Sequence, residues 1–366
     1  MKTDRIKNYM EPVYDDREIE AVYRYMQSGG WLTEYKKTRE FEKGIKEYLH
    51  TKNCSVMSNG TVTLMAALLA CGIKPGDEVI VPDFTMAATS HAVEILGAHA
   101  VFADIERNTL CIEYNEIVRL KTKKTKAIIV VDLNGRYPSR FSKIKEFCSD
   151  NHIWLIEDAA QALGSKYEGQ MLGTVGDIGS FSFSMPKIIT TGQGGAIVTN
   201  NDELFDRILR IRDFGREQPG GDHYLLKGAN FKFTDIQAVL GIEQMMKLPS
   251  RVKRKKQMWR RYKENLSMVK SIEVVYNSDD TVPCFIEIIC AMKKEALQKF
   301  LQNKGIGTRA FYPPLHSEPA YHRDHLSFPI TEEVSKNGLW LPSSVNVTDD
   351  DIDYICNCIK EFYKNE

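Results

Sequence analysis

Strand and helix patterns alternate along the first half of this 366-residue chain, and this alternation restricts the possible folds more than any other feature. Apolar runs without polar alternation indicate strands that are buried on both faces, as in a parallel sheet covered by helices. Such strands are predicted at residues 54–58, 78–82, 100–104, 125–132 and 153–158. The sequence therefore predicts an α/β fold with a mainly parallel sheet.

The two ends of the chain show other patterns. Helices are predicted before the sheet at residues 15–28 and 38–49. Two successive helices, at residues 234–246 and 248–266, are predicted to lead into a smaller α+β region. Strands near residues 272–276 and 284–290 and helices at residues 293–303 and 349–363 make up that region. We therefore expect a large domain at residues 1–250 and a small C-terminal domain at residues 251–366.

Charge is balanced over the whole chain. Lys and Arg together number 49, as do Asp and Glu, so the formal net charge is zero. Proteins that bind nucleic acid or anionic membranes electrostatically carry a basic excess, so the composition argues against both as main partners. One basic run stands out at residues 251–256. A helix face in contact with water is its usual meaning, and an anionic ligand is the alternative.

Eight cysteines are spread along the chain without metal-ligand spacing, and several lie in apolar surroundings. Residues 1–7 run into polar sequence without the apolar segment of a signal peptide. No later stretch approaches the roughly 18 apolar residues of a membrane span. We therefore expect reduced thiols, no metal site, no membrane span and a cytoplasmic location.

A lysine near the middle of the chain, Lys187, stands between an apolar run rich in serine and a glycine-rich turn. Gly192, Gly194 and Gly195 allow backbone conformations that are closed to other residues, so the turn can be sharp. This pattern predicts a lysine held in place by its surroundings. A surface lysine before a hairpin would show the same local pattern, so the rest of the chain has to decide between them.

Two further features can bind a ligand beside such a lysine. A strand, an Asn-Gly turn and a helix follow each other around Gly60 and Thr61. The N–H groups of the helix start, the helix dipole and the Thr61 hydroxyl could together bind a phosphate, although an ordinary capped helix would give the same pattern. Asp158 ends a buried strand, the position beyond which ligands of open α/β sheets bind.

One cofactor fits these features together with Ser182, namely pyridoxal 5′-phosphate (PLP). Its aldehyde requires an amine such as Lys187, and its pyridine nitrogen requires a carboxylate such as Asp158. Its phosphate requires helix N–H groups and hydroxyls. The sequence therefore predicts a PLP enzyme.

Motifs in a fixed order cover nearly the whole chain. They are Trp31-Leu32-Thr33, Ser58-Asn59-Gly60-Thr61, residues 76–82, 157–162 and 181–195, Asn230 with residues 234–237, and residues 311–316. In this order they resemble the sugar aminotransferases called the DegT/DnrJ/StrS family, in particular members of the perosamine synthase type. The resemblance implies a fold-type-I PLP-dependent transferase, whose large domain has a mainly parallel mixed sheet flanked by helices.

The resemblance also implies roles for three residues around the cofactor ring. Lys187 would form the Schiff base with the cofactor and later carry protons between the substrate carbon and C4′ of the cofactor. Asp158 would pair with the pyridinium nitrogen. Gln161 would donate a hydrogen bond to the ring hydroxyl.

Further cofactor contacts follow from the same resemblance. Gly60, Thr61 and Ser182 would bind the phosphate, and Met86 would cover the ring where many relatives have an aromatic residue. Asn230 would reach the phosphate of the neighbouring subunit, which implies a homodimer with shared active sites. A turn residue in a glycine-rich loop is the alternative for Asn230.

Candidate substrate contacts are Trp31, Thr33, Tyr312 and His316. Trp31 follows paired glycines, where a ligand contact is possible, but a tryptophan that fills the core is the commoner case. His316 has a structural loop histidine as its alternative.

The predicted activity is amino transfer from L-glutamate to a keto group of a nucleotide-linked deoxysugar, with pyridoxamine 5′-phosphate as the amino carrier. The resemblance favours a 4-keto-6-deoxy sugar and a role in deoxyaminosugar biosynthesis, such as that of O-antigen lipopolysaccharide. A 3-keto sugar and a PLP-binding regulator without turnover are the alternatives. A related dehydratase has histidine in place of the lysine, so Lys187 argues against that activity.

Overall fold

The computed structural model describes residues 8–321, 323 and 325–364. The N-terminal stretch for which the sequence predicts no signal peptide, residues 1–7, lies outside the described residues. No helix among the described residues is long and apolar enough to span a membrane.

The five strands predicted between residues 54 and 158 are confirmed and alternate with helices, whereas the helix at Tyr114–Leu120 and the short strands within residues 166–171 were not predicted. The strands are β1 Asn53–Met57, β2 Glu78–Pro82, β3 His99–Ala103, β4 Thr125–Val131, β5 Trp154–Asp158, β6 Lys166–Tyr167, β7 Gln170–Met171, β8 Ile178–Ser182, β9 Gly195–Thr199, β10 Ile272–Val274, β11 Ile286–Cys290, β12 Arg309–Ala310 and β13 Gly338–Leu341. The helices are α1 Asp16–Gln27, α2 Lys36–Leu49, α3 Gly60–Ala70, α4 Ala88–Glu94, α5 Tyr114–Leu120, α6 Phe141–Asn151, α7 Asp202–Arg212, α8 Asp235–Leu266, α9 Lys294–Asn303, α10 Pro329–Asn337 and α11 Asp349–Tyr363.

Seven of the described strands form one mixed sheet in the order β1-β9-β8-β5-β4-β2-β3. The pairs from β3 to β8 are parallel, whereas β9 pairs antiparallel with both β8 and β1. This confirms the predicted mainly parallel sheet, to which β9 adds an antiparallel strand after the glycine turn. The carboxyl ends of the parallel strands therefore lie at one edge, where a ligand can meet residues from several strands.

Apolar side chains cover both faces of this sheet. One layer includes Phe41 of α2 and Phe141 of α6, and the other includes Leu64 of α3 and Ile208 of α7, all fully or almost fully buried. Burial on both faces explains why the strands read as continuous apolar runs in the sequence. The α/β class is confirmed.

A second described sheet, with the order β10-β11-β13-β12, is antiparallel and packs against α9, α11 and the end of α8. A further apolar cluster joins the two sheets, with Phe84 and Leu133 from the larger unit and Phe285 and Trp340 from the smaller one. The two units thus meet beside the loops that follow β2 and β4.

The helix predictions for residues 234–246 and 248–266 were wrong in one respect. The structure has a single helix, α8, of 32 residues with Pro249 inside it. Proline cannot donate a backbone hydrogen bond to the carbonyl four residues earlier. The helix continues nevertheless, because Leu248 packs in the core of the larger unit and Met258 in that of the smaller one. The domain boundary predicted near residue 250 falls inside this helix and stays a prediction.

The basic run at residues 251–256 differs from its predicted solvated face at two positions. Arg251 and Lys255 are buried, and Lys255 has no exposed surface. They lie four residues apart on α8 and therefore share one side of the helix, which faces the protein interior. The eight cysteines are all free thiols and all buried, as expected for small apolar side chains.

Candidate active site

Asp158 is the last residue of β5 and lies at the carboxyl edge of the sheet. Its carboxylate accepts hydrogen bonds from the Thr89 hydroxyl at 2.7 Å and from the Ala160 N–H at 3.2 Å. Burial raises the pKa of Asp158, and the hydrogen bond from Thr89 and the charge of Lys187 oppose this shift. The structure therefore holds one oriented, buried carboxylate at the position predicted for the pyridinium partner.

Lys187 lies in the irregular loop between β8 and β9. Its backbone N–H donates to the Ser184 carbonyl at 3.1 Å, and its side chain is partly buried. Desolvation lowers the pKa of Lys187, while Cys284 and Asp158 raise it and the positive charge of Arg309 lowers it further. A lowered pKa increases the fraction of neutral amine, which is the form that attacks a carbonyl.

The residues predicted to bind phosphate lie together at the start of α3. A Cβ atom on Gly60 would lie 2.9 Å from Ser182 Cβ and 3.3 Å from Ser182 Oγ, so only glycine allows the two segments to approach this closely. Asn59 caps the helix and accepts from the N–H groups of Thr61 and Val62, each at 3.0 Å. The helix therefore has an ordinary N-terminal cap, as the alternative interpretation of this turn predicted. The Thr61 and Ser182 hydroxyls lie beside this capped turn.

Gln161 is held from two sides. Its Oε1 accepts from the backbone N–H of Asn134 at 2.9 Å, and its Nε2 donates to the Tyr312 hydroxyl at 3.4 Å. The Tyr312 ring meets Trp340 edge to face at 4.8 Å, and burial raises the pKa of its hydroxyl. The structure thus brings together Gln161 and Tyr312, which the sequence assigns to the cofactor and the substrate.

Met86 lies in the turn before α4, and 50% of its surface is exposed. Its carbonyl accepts from the N–H of Thr89, the residue whose hydroxyl binds Asp158. Met86 is therefore one turn away from a contact of the buried carboxylate. The predicted stacking on the ring stays a prediction.

Trp31, Thr33 and Asn230 lie at the surface. The core-filling alternative for Trp31 was wrong, because its side chain is 62% exposed. Its Nε1 donates to Thr33 Oγ1 at 2.7 Å. Thr33 and the exposed Asn230 line one surface cavity of about 450 Å³, to which Arg216 and Lys232 also contribute.

His316 is buried and bound to one carboxylate. Its backbone N–H and its Nδ1 contact the two oxygens of Asp83 at 2.8 and 2.7 Å. Burial raises the pKa of Asp83, and the contacts with His316 oppose that shift. These contacts give His316 a structural function, the alternative that the sequence left open. Its predicted contact with substrate stays a prediction.

Two residues near the site, Asn134 and Arg309, were not assigned a role from the sequence. Asn134 binds Phe285 and Glu287 of the smaller unit through its side chain, and its own φ of 55° is left-handed. An Asn-Gly pair is a known signal for such a conformation, so Asn134 was detectable as a turn residue. Arg309 lies 5.1 Å from the Trp340 ring centroid, and no local pattern distinguishes it from any other arginine.

The residues fit PLP. A buried carboxylate, a lysine of lowered pKa and a glycine turn beside two hydroxyls match the pyridine nitrogen, the aldehyde and the phosphate of this cofactor. Together with the mixed sheet, they define a fold-type-I PLP-dependent transferase.

The chain belongs to the DegT/DnrJ/EryC1/StrS aminotransferase family, whose sequence profile matches residues 12–360. It is 34% identical to the GDP-perosamine synthase of Escherichia coli O157:H7, over 100% of this chain and 97% of the relative. It is 32% identical to the GDP-perosamine synthase of Vibrio cholerae, over 96% of this chain and 98% of the relative.

The fold of this chain is similar to that of a solved structure of DesI in the presence of its TDP-sugar product. The two structures have a TM-score of 0.89 and 27% identity, and the match covers 98% of this chain and 93% of that one. The protein is therefore a PLP-dependent sugar aminotransferase.

Proposed function

We propose that this enzyme transfers the amino group of L-glutamate to the 4-keto group of a nucleotide-linked 6-deoxy sugar. The observation that carries the amino transfer is Lys187, an amine of lowered pKa within electrostatic reach of the buried Asp158. Similarity to two GDP-perosamine synthases along almost the whole chain supports the nucleotide-linked substrate. A cytoplasmic location is part of the proposal and agrees with eight free thiols.

Each residue of the site has a defined task in this proposal. When bound, PLP carries the amino group and delocalises the electron pair released at the substrate carbon. Asp158, oriented by Thr89, keeps the proton on the pyridine nitrogen, and Gln161 donates its Nε2 hydrogen to the ring oxygen. The Thr61 and Ser182 hydroxyls bind the phosphate.

Lys187 moves the proton between the substrate carbon and the cofactor. Its amine has to be neutral to accept this proton, and the desolvation that lowers its pKa favours the neutral form. Asp158 opposes this shift, so the pKa of Lys187 reflects a balance of both effects. Tyr312, whose hydroxyl accepts a hydrogen bond from Gln161, would contact the sugar.

The partner in this proposal is a second copy of the chain. Asn230 is exposed and would reach the phosphate in the neighbouring subunit. Apolar side chains are exposed around the same region, as a buried subunit interface requires. They are Trp31, Leu32, Tyr35, Leu225 and Leu226.

Two alternatives remain within the same site. A 3-keto sugar would need the same amine and carboxylate, and only the position of the sugar ring would differ. A PLP-binding regulator would hold the cofactor without amino transfer. Both predict bound cofactor, so binding alone does not separate them from the proposal.

The deciding experiment is the half-reaction with glutamate. Purified protein saturated with PLP is mixed with L-glutamate, and the absorbance of the lysine-bound cofactor is followed over time. We expect the band to disappear in the wild type as the amino group is transferred. Lys187→Ala should lack the band and remain unchanged, with Lys253→Ala, an exposed lysine, as the matched control.

A second step identifies the acceptor. The glutamate-treated protein, freed of excess donor, is mixed with nucleotide-linked sugars that carry the keto group at carbon 3 or carbon 4. Recovery of the band with a 4-keto sugar, and the position of the new amino group in the product, would support the proposal. A band that glutamate leaves intact would rule out this donor, and recovery with 3-keto sugars alone would rule out the 4-keto acceptor.

A further inference from the structure

Two buried cations of the basic run lie beside the lysine loop, the segment of residues 183–194 between β8 and β9. Arg251 and Lys255 face the interior from α8, whereas Lys253 on the same run is exposed. Buried cations are rare unless their donors meet acceptors. Most of the acceptors found here are backbone carbonyls, and one of them belongs to Ile188, the residue after Lys187.

Arg251 and Gln244 hold the chain on the C-terminal side of Lys187. Arg251 Nη1 donates to the Ile188 carbonyl at 2.9 Å and to Gln244 Oε1 at 2.5 Å. Its Nη2 donates to the Val13 carbonyl at 2.7 Å. Gln244 Oε1 also accepts from the Thr190 N–H at 3.2 Å. One arginine and one glutamine therefore fix a carbonyl and an amide within three residues of Lys187.

Lys255 acts on the N-terminal side of Lys187 through one intermediate. Its Nζ donates to the carbonyls of Cys284, at 2.6 Å, and of Ser343. The Cys284 thiol in turn donates to the Pro186 carbonyl at 3.6 Å. The residues immediately before and after Lys187 are thus both connected to α8.

The lysine loop depends on these contacts because it has no regular structure of its own. Residues 183–194 lie between β8 and β9 and include no helix or strand. A displacement of about 1 Å between reacting groups can reduce a reaction rate by roughly a hundredfold. A loop that carries the reactive amine therefore needs support from a rigid element, and α8 is the helix that supplies it.

We propose that Arg251 is a positioning residue for Lys187, acting through the Ile188 carbonyl and, with Gln244, through the Thr190 amide. This inference rests on the proposed role of Lys187 in binding the cofactor. The planar guanidinium serves three acceptors at once, which an ammonium group on a flexible stem cannot do in the same geometry. The structure thus gives a function to a residue that sequence alone places on a solvated face.

The first experiment tests the premise in the wild type. Borohydride reduction of the PLP-loaded protein, followed by peptide mapping, should attach the cofactor to Lys187. A label on another lysine would overturn the role of Lys187 and, with it, this inference. Once Lys187 is labelled, failures in the variants below concern Arg251 and not the cofactor site.

The second experiment compares Arg251→Met with Lys253→Met on the same helix. Arg251→Met should raise the dissociation constant for PLP about tenfold, the change expected for one lost charge-assisted hydrogen bond. Amide hydrogen exchange in the peptide that contains Thr190 should become faster, while exchange in β4 and β5 stays as in the wild type. Lys253→Met should change neither quantity.

The outcomes separate a positioning role from a general structural one. An Arg251→Met protein of lowered thermal stability, but with wild-type PLP affinity and wild-type exchange at Thr190, would overturn the proposal. If this variant does not fold, Arg251→Lys decides instead. It should show a smaller rise in the dissociation constant and faster exchange at Thr190, and wild-type values of both would overturn the proposal.

Discussion

Lys187 and Asp158 each sit where the protein disfavours their charged forms. Burial lowers the pKa of the lysine and raises the pKa of the aspartate, and each charge partly restores the other. A ligand that binds the lysine amine covalently and places a cationic nitrogen beside the aspartate would replace the charge of Lys187 as the partner of Asp158. The pKa shifts of the two side chains therefore agree with their proposed roles in binding PLP.

Gly60 allows the start of α3 to lie close to Ser182 because it has no side chain. Gly60→Ala would place a Cβ atom 2.9 Å from Ser182 Cβ, so one of the two segments has to shift. We expect the dissociation constant for PLP to rise about tenfold or more, because Thr61 and Ser182, which are proposed to bind the phosphate, would move apart. Equilibrium titration with PLP, followed by absorbance, measures this change.

Gly44→Ala is the control for the glycine prediction. Gly44 lies within α2, and a Cβ atom there would meet nothing within 4 Å. The change should leave PLP affinity as in the wild type and stabilise the helix by up to ~1 kcal/mol. Equal PLP affinities for the Gly60→Ala and wild-type proteins would show that the close approach to Ser182 does not matter.

At the scale of elements, α8 is the helix that joins the two units and supports the lysine loop. Its buried face carries cations where a helix of this kind usually carries apolar residues. Burial lowers the pKa of Lys255 to about 8, against an ordinary value of 10.5. Such a shift has a consequence for stability that can be measured.

The unfolding free energy should depend on Lys255 in a defined pH range. Between pH 8 and 10.5 the unfolded chain binds a proton at Lys255 that the folded chain has released, so stability rises with pH. Below pH 8 Lys255 is charged in the folded chain as well, so the burial of its charge lowers the free energy of unfolding by its full amount. Lys255→Met should remove this rise, as seen in the difference between its urea unfolding curves and those of the wild type across the range.

Lys253→Met is the control, because this lysine is exposed on the same helix. Its pH dependence should follow the wild type. If Lys255→Met also followed the wild type between pH 8 and 10.5, the buried lysine would have an ordinary pKa, contrary to this prediction.

At the scale of the whole molecule, the larger unit carries Asp158 and Lys187 and the smaller unit supplies neighbours such as Tyr312 and Arg309. The two units meet through Asn134, which binds Gln161 by its backbone and Phe285 by its side chain. Asn230 and Trp31 remain at the surface. The proposed dimer would bring them to the site of a second copy.

Shared sites predict complementation between two inactive variants. The Lys187→Ala variant lacks the reactive amine. The Asn230→Asp variant would place a negative charge beside the phosphate of the neighbouring site. In a mixed dimer one site then contains the intact lysine of one chain and the intact asparagine of the other. Random mixing after denaturation should restore about a quarter of wild-type activity, since half of the dimers are mixed and each has one intact site.

Activity measured before and after mixing tests this arrangement. Each variant refolded alone serves as the control and should stay at its own low activity. Sites built from one chain would leave the mixture at the mean of the two variants, which would contradict the shared site.

The sequence by itself predicted the five strands between residues 54 and 158 and the glycine turn at Gly60, and it assigned to Lys187 and Asp158 roles that stay predictions. These features depend on local periodicity, on strand ends and on backbone freedom, all of which a short stretch of sequence contains. Short elements such as β12 and the continuity of α8 past Pro249 escaped prediction, because contacts with distant residues stabilise them.

Only the tertiary structure decided which residues support the site. Helical spacing places Arg251 and Lys255 on one face, but charged residues also occupy the other faces, so the inward side could not be chosen from sequence. The contacts of His316 with Asp83 and of Asn134 with Glu287 join residues more than 150 positions apart. Such pairs form only when the chain has folded, because burial then forces each polar group to find a partner.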